Sequence, residues 1–569
     1  VIELEERVLA DGTVETPLNE AAAAEALKAA KAKGYDSIAI LTLHGYRYTD
    51  HEARVAELAG EAGFSQISVS HKASPLVKAV GRGDTTVVDA YLSPVLRRYV
   101  DLVASEMAGA RLMFMQSNGG LADARLFQGK DSILSGPAGG VVGAAKTAAM
   151  AGFDRIIGFD MGGTSTDVSH YAGDYERTFE TLVAGVRMRA PMMQIHTVAA
   201  GGGSILAFEQ GRYRVGPESA GAAPGPASYR RGGPLTVTDC NVLLGRLQPD
   251  HFPPVFGPNG DLPLDPAAAR ARFDEMAAAI RDETGDTRAI EDVAAGYLKI
   301  AVENMANAIK EISIRRGYDV TEYTLCCFGG AGGQHACMIA DTLGMEKIFI
   351  HPYAGVLSAY GMGLADLRAV KERSVERKLA PDMLADVEAT LAELGAEAED
   401  EVRPQLTSGD RMHVERRAHL RYEGTDSALE VAFPSGGDVA GALRKAFEDE
   451  HRQRYGFVMA DKPLIVATAV AEAVGETDVV EEAAWAIGAD PKAAVIATHP
   501  VYTDGAWAEI PFYDRDAMEP GAAVAGPAII IERTGANMVE PGWRAEITGL
   551  DHLVMTRTTP VERDFAIGT

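Results

Sequence analysis

The sequence has 569 residues, 47% of them hydrophobic, with 60 glycines and 27 prolines, which is enough for three or four domains at roughly 100–200 residues each. Its 54 basic residues face 81 acidic ones, a net charge of −27 without any Lys/Arg-rich run, which excludes a free-standing nucleic-acid binder. Four cysteines (Cys240, Cys326, Cys327, Cys337) with no CxxC pair exclude a disulfide framework, and no run of about 20 apolar residues exists to span a membrane. The cytoplasm is the expected compartment. The opening Val1-Ile2-Glu3-Leu4, without an initiator methionine, reads as the start of a fragment or processed piece.

The chain begins with α/β layering. Glu20 to Gly34 is Ala/Lys-rich and helical, Ser37–Leu43 reads as a buried strand, and His51 to Gly63 as an amphipathic helix. From 85 to 370 one arrangement recurs: an apolar strand, a glycine-rich turn, then a helix or a returning strand. Arg111–Gln116 runs into Asn118-Gly119-Gly120. Ser132–Leu134 runs into Ser135-Gly136-Pro137-Ala138-Gly139-Gly140, followed by a helix from Val141 to Ala151. Arg155–Phe159 runs into Asp160-Met161-Gly162-Gly163-Thr164-Ser165-Thr166-Asp167 with a strand returning from Asp167, and Leu325–Phe328 runs into Gly329–Gly333 with a helix from about His335. Lys347–Ile350 is the next strand, and a helix pair is expected at Pro266–Glu283 and Ile290–Ile314. Pro381 marks a boundary. Beyond it Leu384, Val387, Leu391, Leu394 and Val402 keep a helical spacing, and the rest is strand-rich.

The Asp160 turn carries the most chemistry. Its glycines let successive N–H groups curl toward an anion, and the hydroxyls of Thr164, Ser165 and Thr166 add donors. Two carboxylates at a phosphate site repel the anion unless Mg²⁺ or water intervenes, so the pattern implies metal–phosphate chemistry. A plain hairpin turn is the alternative. The second site is FGGAGGQHA (328–336). G-x-G-x-x-G fails there because His335 stands where the last glycine belongs, and Walker A fails at Gly143–Thr147 for want of a Gly-Lys pair. Together with the Asp160 turn, this cluster suggests the other half of a nucleotide cleft. A third region runs through Gly201-Gly202-Gly203-Ser204 to Glu218-Ser219 and Pro226. It holds too much glycine and proline for regular structure and is a candidate substrate loop or lid, without the G-x-S-x-G of a serine hydrolase. The thirteen histidines form no HxH or HxxxH pair; His335, opening a helix at a glycine turn, is the one singled out for testing.

The Asp160 turn is similar to the second phosphate motif of the actin, heat-shock chaperone and sugar-kinase superfold, and FGGAGG to its adenosine motif. SGPAGGVVGA (135–144), GFDMGGTSTDVS (158–169), AAGGGS (199–204), VGPESAGAAPGPA (215–227) and FGGAGGQHA (328–336), in this order, resemble the hydantoinase A/5-oxoprolinase family. VTDCNVLLGRLQPDHFPPVFGPNG (237–260) and the Tyr171-Ala172-Gly173 continuation look most like its ATP-dependent 5-oxoprolinases.

The resemblance implies an α/β protein with an actin-like ATPase core of ribonuclease H-like halves and a smaller C-terminal α+β domain. Its parts would be the end of an N-terminal hydantoinase A domain (1–70), the core (71–370) and the C-terminal domain (380–569). It implies ATP and Mg²⁺ as cofactors. Gly162, Gly163, Thr164, Ser165, Thr166, Gly329, Gly330, Gly332 and Gly333 would bind ATP. Asp160, Asp167 and Thr164 would be catalytic, with Asp160 and Asp167 holding the metal. The implied reaction opens 5-oxo-L-proline, or a related cyclic amide, to L-glutamate with release of ADP and phosphate. A hydantoin-opening or ketone-carboxylating subunit is the sibling reading, and a non-catalytic ATP-binding switch the reading from another class. No second Asp-x-Gly-Gly-Thr occurs, since Asp11-Gly12-Thr13 reads only as a hairpin turn, so the N-terminal phosphate lobe is expected to be missing. The expected partners are that lobe, a hydantoinase B-like domain or subunit, and further copies of the chain in a homo-oligomer.

Overall fold

The computed structural model describes residues 1–107, 109–183, 185–407, 411–477 and 482–560, which divide into two compact units. The first unit comprises Val1–Gly139, Arg177–Met193 and Leu364–Val479, and the second comprises Gly140–Glu176, Gln194–Gly363 and Val480–Thr569. No helix among the described residues is long and apolar enough to cross a membrane.

In the first unit a parallel strand pair, Ser37–Ile40 and Gln66–Val69, packs with helices Glu20–Ala32 and Asp50–Glu61. Asp11-Gly12-Thr13 turns a short hairpin, its Asp11 side chain accepting the Thr13 N–H at 2.9 Å. Buried Glu52 ties this layer together. It accepts Thr42 N–H at 2.7 Å, Ser70 Oγ at 2.6 Å and His71 Nδ1 at 2.7 Å, and Arg82 donates to the same Ser70 hydroxyl at 2.9 Å. The larger element is a six-stranded sheet in the spatial order Leu429–Ala432, Arg411–Tyr422, Leu464–Glu476, Leu367–Lys378, Leu121–Asp123, Met113–Met115. Helix Leu384–Val402 covers it with Val387, Leu391, Leu394, Ala398 and Val402, the stripe that its spacing predicts.

The second unit is built on an eight-stranded sheet. Its strands are β1 (Ile156–Met161), β2 (Thr166–Tyr171), β3 (Ile195–Val198), β4 (Thr324–Phe328), β5 (Lys347–Ile350), β6 (Ala523–Ala525), β7 (Trp543–Ile547) and β8 (Leu553–Arg557), in the order β3-β2-β1-β4-β5-β8-β7-β6. The first three run antiparallel and β1, β4 and β5 parallel, which is the ribonuclease H-like arrangement. β1 and β4 are buried on both faces, hence their unbroken apolar runs Ile156–Phe159 and Leu325–Phe328. Helices Pro266–Thr284 and Ile290–Ile312 stand as expected, the second burying Val293, Tyr297, Ala301, Met305 and Ile312. All four cysteines are buried and unbridged.

Two expectations fail. Ser132–Leu134 is no strand, and the glycine-rich stretch after it is already helical, as helix Ser135–Met150. Pro137 sits in the first turn, where a missing N–H costs nothing, and Gly140 and Gly143 let Phe328, Ser358 and Leu357 come close. The stretch from Ser204 to Ser219 is likewise not irregular. Ser204–Glu209 and Arg212–Ser219 form an antiparallel hairpin whose register slips between Ser204 and Leu206. That bulge admits Gly216, at φ +65°, and Pro217 into a strand.

In the first unit Glu472, 2% exposed, accepts Arg177 Nη1 and Nη2 at 2.5 and 2.9 Å and Arg368 Nη1 at 2.9 Å. Burial alone would raise its pKa, but the two guanidinium charges overrule it and bring it down to about 2. The folded value lies below the ordinary 4.5, so this stabilisation is complete above pH 4.5 and disappears as the pH falls toward 2. Glu472→Gln is expected to cost about 3 kcal/mol at pH 7, since it strands two buried guanidinium groups. Urea unfolding should show that cost shrinking between pH 4.5 and pH 2.

Candidate functional site

The site is built on the β1–β2 hairpin. The antiparallel register sets Asp160 directly opposite Asp167 and Met161 opposite Thr166, so both carboxylates emerge on the same face beside the turn Gly162–Ser165. Gly162 N–H closes the turn on Ser165 O at 3.1 Å. The N–H groups of Gly163, Thr164 and Ser165 have no acceptor among the described residues, and Gly163 and Thr164 are exposed at the tip. Three free amides and a hydroxyl at one tip form an anion-binding concavity.

Neighbouring strands supply the carboxylates' partners. Thr197 on β3, paired with Asp167, donates its hydroxyl to Asp167 Oδ1 at 2.6 Å, and Ser358 Oγ donates to Asp160 Oδ2 at 3.4 Å. Burial, and then the Asp167 charge, push the Asp160 pKa up to about 6; burial also raises Asp167, partly offset by Thr197. No cation of the protein offsets the pair.

The Gly201–Ser204 loop braces the turn from behind. Gly202 and Gly203 N–H donate to Gly162 O at 3.2 Å and Gly163 O at 2.6 Å, and a Cβ at Gly201 or Gly203 would stand 2.9 or 2.8 Å from Gly163 O. Ser204, 1% exposed, accepts Gly201 N–H at 2.9 Å. This corrects the substrate-loop expectation for Ser204, whose hydroxyl is spent inside the brace. Ser219 Oγ accepts Gly221 N–H at 3.2 Å, and exposed Glu218 pairs with Arg214 at 3.1 Å. Thr166 also departs from expectation as a phosphate ligand. Its side chain is fully buried and donates to Ala200 O at 2.5 Å, leaving Thr164 and Ser165 as the available hydroxyls.

The second glycine cluster meets the first through the sheet. β4 runs parallel to β1 with Phe328 beside Asp160, so the next residue, Gly329, comes up against that carboxylate. Its φ is +81°, and a Cβ there would stand 2.5 Å from Asp160 Oδ1, so only glycine fits. Gly330 is exposed, facing Thr534 O across a small crevice also lined by Gly355 and Glu532. Gly332 and Gly333 are not available to a nucleotide as expected. Both are buried in a 3₁₀ turn, Gly332 against Cys327 Sγ and Gly333 against Asn537 Oδ1. His335 is 1% exposed, and burial followed by the Arg246 charge lowers its pKa to about 3, so it serves as a packed neutral ring.

Sequence reasoning missed Thr197, Ser358 and Glu532. Burial pushes the Glu532 carboxyl up to about 7 despite Arg515, and Asn537 Nδ2 donates to it at 2.8 Å. No local signal marks it, since it lies about 200 residues beyond the glycines that it joins. Sequence reasoning also missed the cluster of His351, Glu482 and His552, whose side-chain atoms lie within 4.8 Å of one another. Both Nε2 atoms sit 2.7 Å from Glu482 oxygens, but Tyr353 N–H donates to His351 Nδ1 at 3.1 Å, which puts the ring proton on Nε2. His552 Nδ1 is buried without a partner, whereas a metal-bound ring donates that N–H. Burial lowers both histidine pKa values, and the group is a hydrogen-bonded clasp of two neutral rings on one carboxylate.

Comparisons with known proteins converge on one family. Residues 1–63 match the Hydantoinase/oxoprolinase N-terminal region, 82–371 the Hydantoinase/oxoprolinase family and 375–555 its C-terminal domain. The chain is 40% identical to 5-oxoprolinase 1 of Arabidopsis thaliana over 92% of its own length and 42% of the plant protein. It is also 40% identical to 5-oxoprolinase of Saccharomyces cerevisiae, over 93% of its own length and 42% of the yeast protein. It thus spans about two fifths of these curated relatives. The crystal structure of ATP-dependent caprolactamase from Pseudomonas jessenii superposes with a TM-score of 0.87 at 29% identity, covering 98% of this chain and 82% of that one. Sequence and fold agree along nearly the whole chain, which belongs to the hydantoinase/oxoprolinase family.

Proposed function

We propose that this chain is the ATP-binding, phosphorylating part of an enzyme that opens 5-oxo-L-proline to L-glutamate with release of ADP and phosphate. The observation that carries the reading is the carboxylate pair Asp160–Asp167 beside three free amides, at 40% identity to proteins named 5-oxoprolinase.

The residues fit ATP and Mg²⁺. Two part-buried carboxylates face each other without a cation, and the free N–H groups of Gly163, Thr164 and Ser165 form an anion cradle. Asp160 and Asp167 would hold Mg²⁺, the tip Gly162–Ser165 the phosphates, and Gly329 and Gly330 the nucleoside side. Bound ATP supplies a phosphoryl group for the amide oxygen, which turns a poor leaving group into a good one. The chain's own contribution is positioning: Thr197 and Ser358 orient the carboxylates, and the Gly201–Gly203 brace ties the turn's carbonyls so that its amides point outward. A hydantoinase B-like partner would complete hydrolysis. The caprolactamase likeness favours a second reading, a larger lactam ring as substrate.

A phosphate-release assay on the full-length protein tests both readings with 5-oxo-L-proline, caprolactam and hydantoin in parallel. Release unchanged by every one of them refutes the proposal. Asp160→Asn should cut release by on the order of 10²–10³-fold. The folded pKa of Asp160 is raised from 3.8 to about 6, so its contribution to stability is present below pH 3.8 and lost as the pH rises through 6. At pH 7 the variant should therefore melt higher than the parent by on the order of 1–3 kcal/mol, separating lost chemistry from lost fold. For the same reason Mg²⁺-dependent nucleotide binding, followed by calorimetry, should weaken as the pH falls below about 6. Gly329→Ala places a methyl on Asp160 at positive φ; its release should fall at least tenfold, roughly the cost of displacing one aligned group.

A further inference from the structure

The first unit contains a cavity of about 970 Å³, at the upper end for small-molecule sites. Its walls are strand Leu367–Lys378, helix Leu384–Val402, the turn His71–Pro75, the Gln116–Asn118 loop and Arg189. The lining carries seven Lys/Arg against five Asp/Glu, the reverse of the whole chain's balance. The cavity attracts an anion that the rest of the surface repels.

Four of the acids are matched within the wall: Asp131 by Lys130 at 2.7 Å, Glu401 by Lys371 at 2.6 Å, Asp386 by Arg377 at 2.6 Å and Glu397 by Arg373 at 3.2 Å. Glu372 is not. Its Oε1 is buried without a hydrogen-bond partner, and no lysine or arginine of the described residues pairs with it. Arg189 is its counterpart. Nε and Nη1 are buried without an acceptor, and its nearest carboxylate, Glu180, stands 3.4 Å from Nε. Each of the two feels the other's charge across the gap, yet they do not touch. Lys72 lines the same cavity with an exposed ammonium and no ion pair among the described residues. A buried guanidinium and a buried carboxylate, each unpaired on one cavity, are costly unless something bridges them.

We infer that this cavity binds a small molecule bearing a carboxylate next to an N–H donor, that is, an α-amino acid or the cyclic amide derived from one. The carboxylate meets Arg189 and Lys72, and the ammonium or lactam N–H meets Glu372 Oε1. The volume beyond such a ligand holds water against the polar wall. The inference stands on the cavity alone. It meets the proposed activity in one respect, since 5-oxo-L-proline and L-glutamate both belong to this class, and separate titrations with each tell which of the two binds.

The test is calorimetry on the full-length protein without nucleotide, using 5-oxo-L-proline, L-glutamate, 2-pyrrolidinone (no carboxylate) and glutarate (no N–H). One of the first two should bind, with the stripped analogues about tenfold weaker or more. Lys72→Ala removes an exposed side chain and Glu372→Gln keeps shape, so both variants should fold, and each should weaken binding about tenfold. No heat with either ligand overturns the inference, as does binding indifferent to both substitutions. Lactam-stimulated phosphate release whose KM ignores both substitutions would remove this inference and leave the proposed activity standing; ligand binding without such release would do the reverse.

Discussion

Two like charges held opposite each other organise the second unit. Once β1 and β2 pair across a four-residue turn, residues 160 and 167 must share a face, and both are aspartate. The sheet then determines what meets them. β3 brings the Thr197 hydroxyl to one carboxylate, and β4 brings Gly329 to the other. The central position of β1 makes this unavoidable, because a strand paired on both edges cannot shift register without moving its whole side-chain set to the other face.

The buried acids of the first unit solve the same electrostatic problem differently. Glu472 is answered by two arginines, and Glu52 by a hydroxyl, two backbone amides and a histidine. Both carboxyls are held below their ordinary range. Asp160 has one long hydroxyl contact and a neighbouring anion, and its carboxyl rises to about 6. An acid neutralised from within stabilises the fold. An acid left unneutralised in a cradle of free amides costs stability and reserves its field for a ligand.

Glycine has two uses in this fold. At Gly163 and Gly330 it leaves backbone open at an exposed position, whereas at Gly201, Gly203, Gly332 and Gly333 it lets one backbone pack directly on another. These uses look identical along the chain, which is why Gly332 and Gly333 read as nucleotide contacts and prove to be packing. Pro137 and Pro217 mislead in the same way: each reads as a breaker, yet one begins a helix and the other sits in a bulged strand.

The strands β1, β2, β4 and β5, the helix pair after Pro266 and the stripe on Leu384–Val402 are legible from the amino-acid order alone, as is the Asp160 turn. Each rests on a period or a turn chemistry contained within some twenty residues, where neighbours in sequence are also neighbours in space. Only the tertiary structure decides that Thr166 is spent on Ala200, that the Gly201–Gly203 loop is a brace, and that His335 is an enclosed neutral ring. It alone brings Glu532 to the glycine crevice, and sets Arg189 and Glu372 unpaired on one cavity. Burial and partnership are properties of what the fold brings together from hundreds of residues away, and no local pattern encodes them.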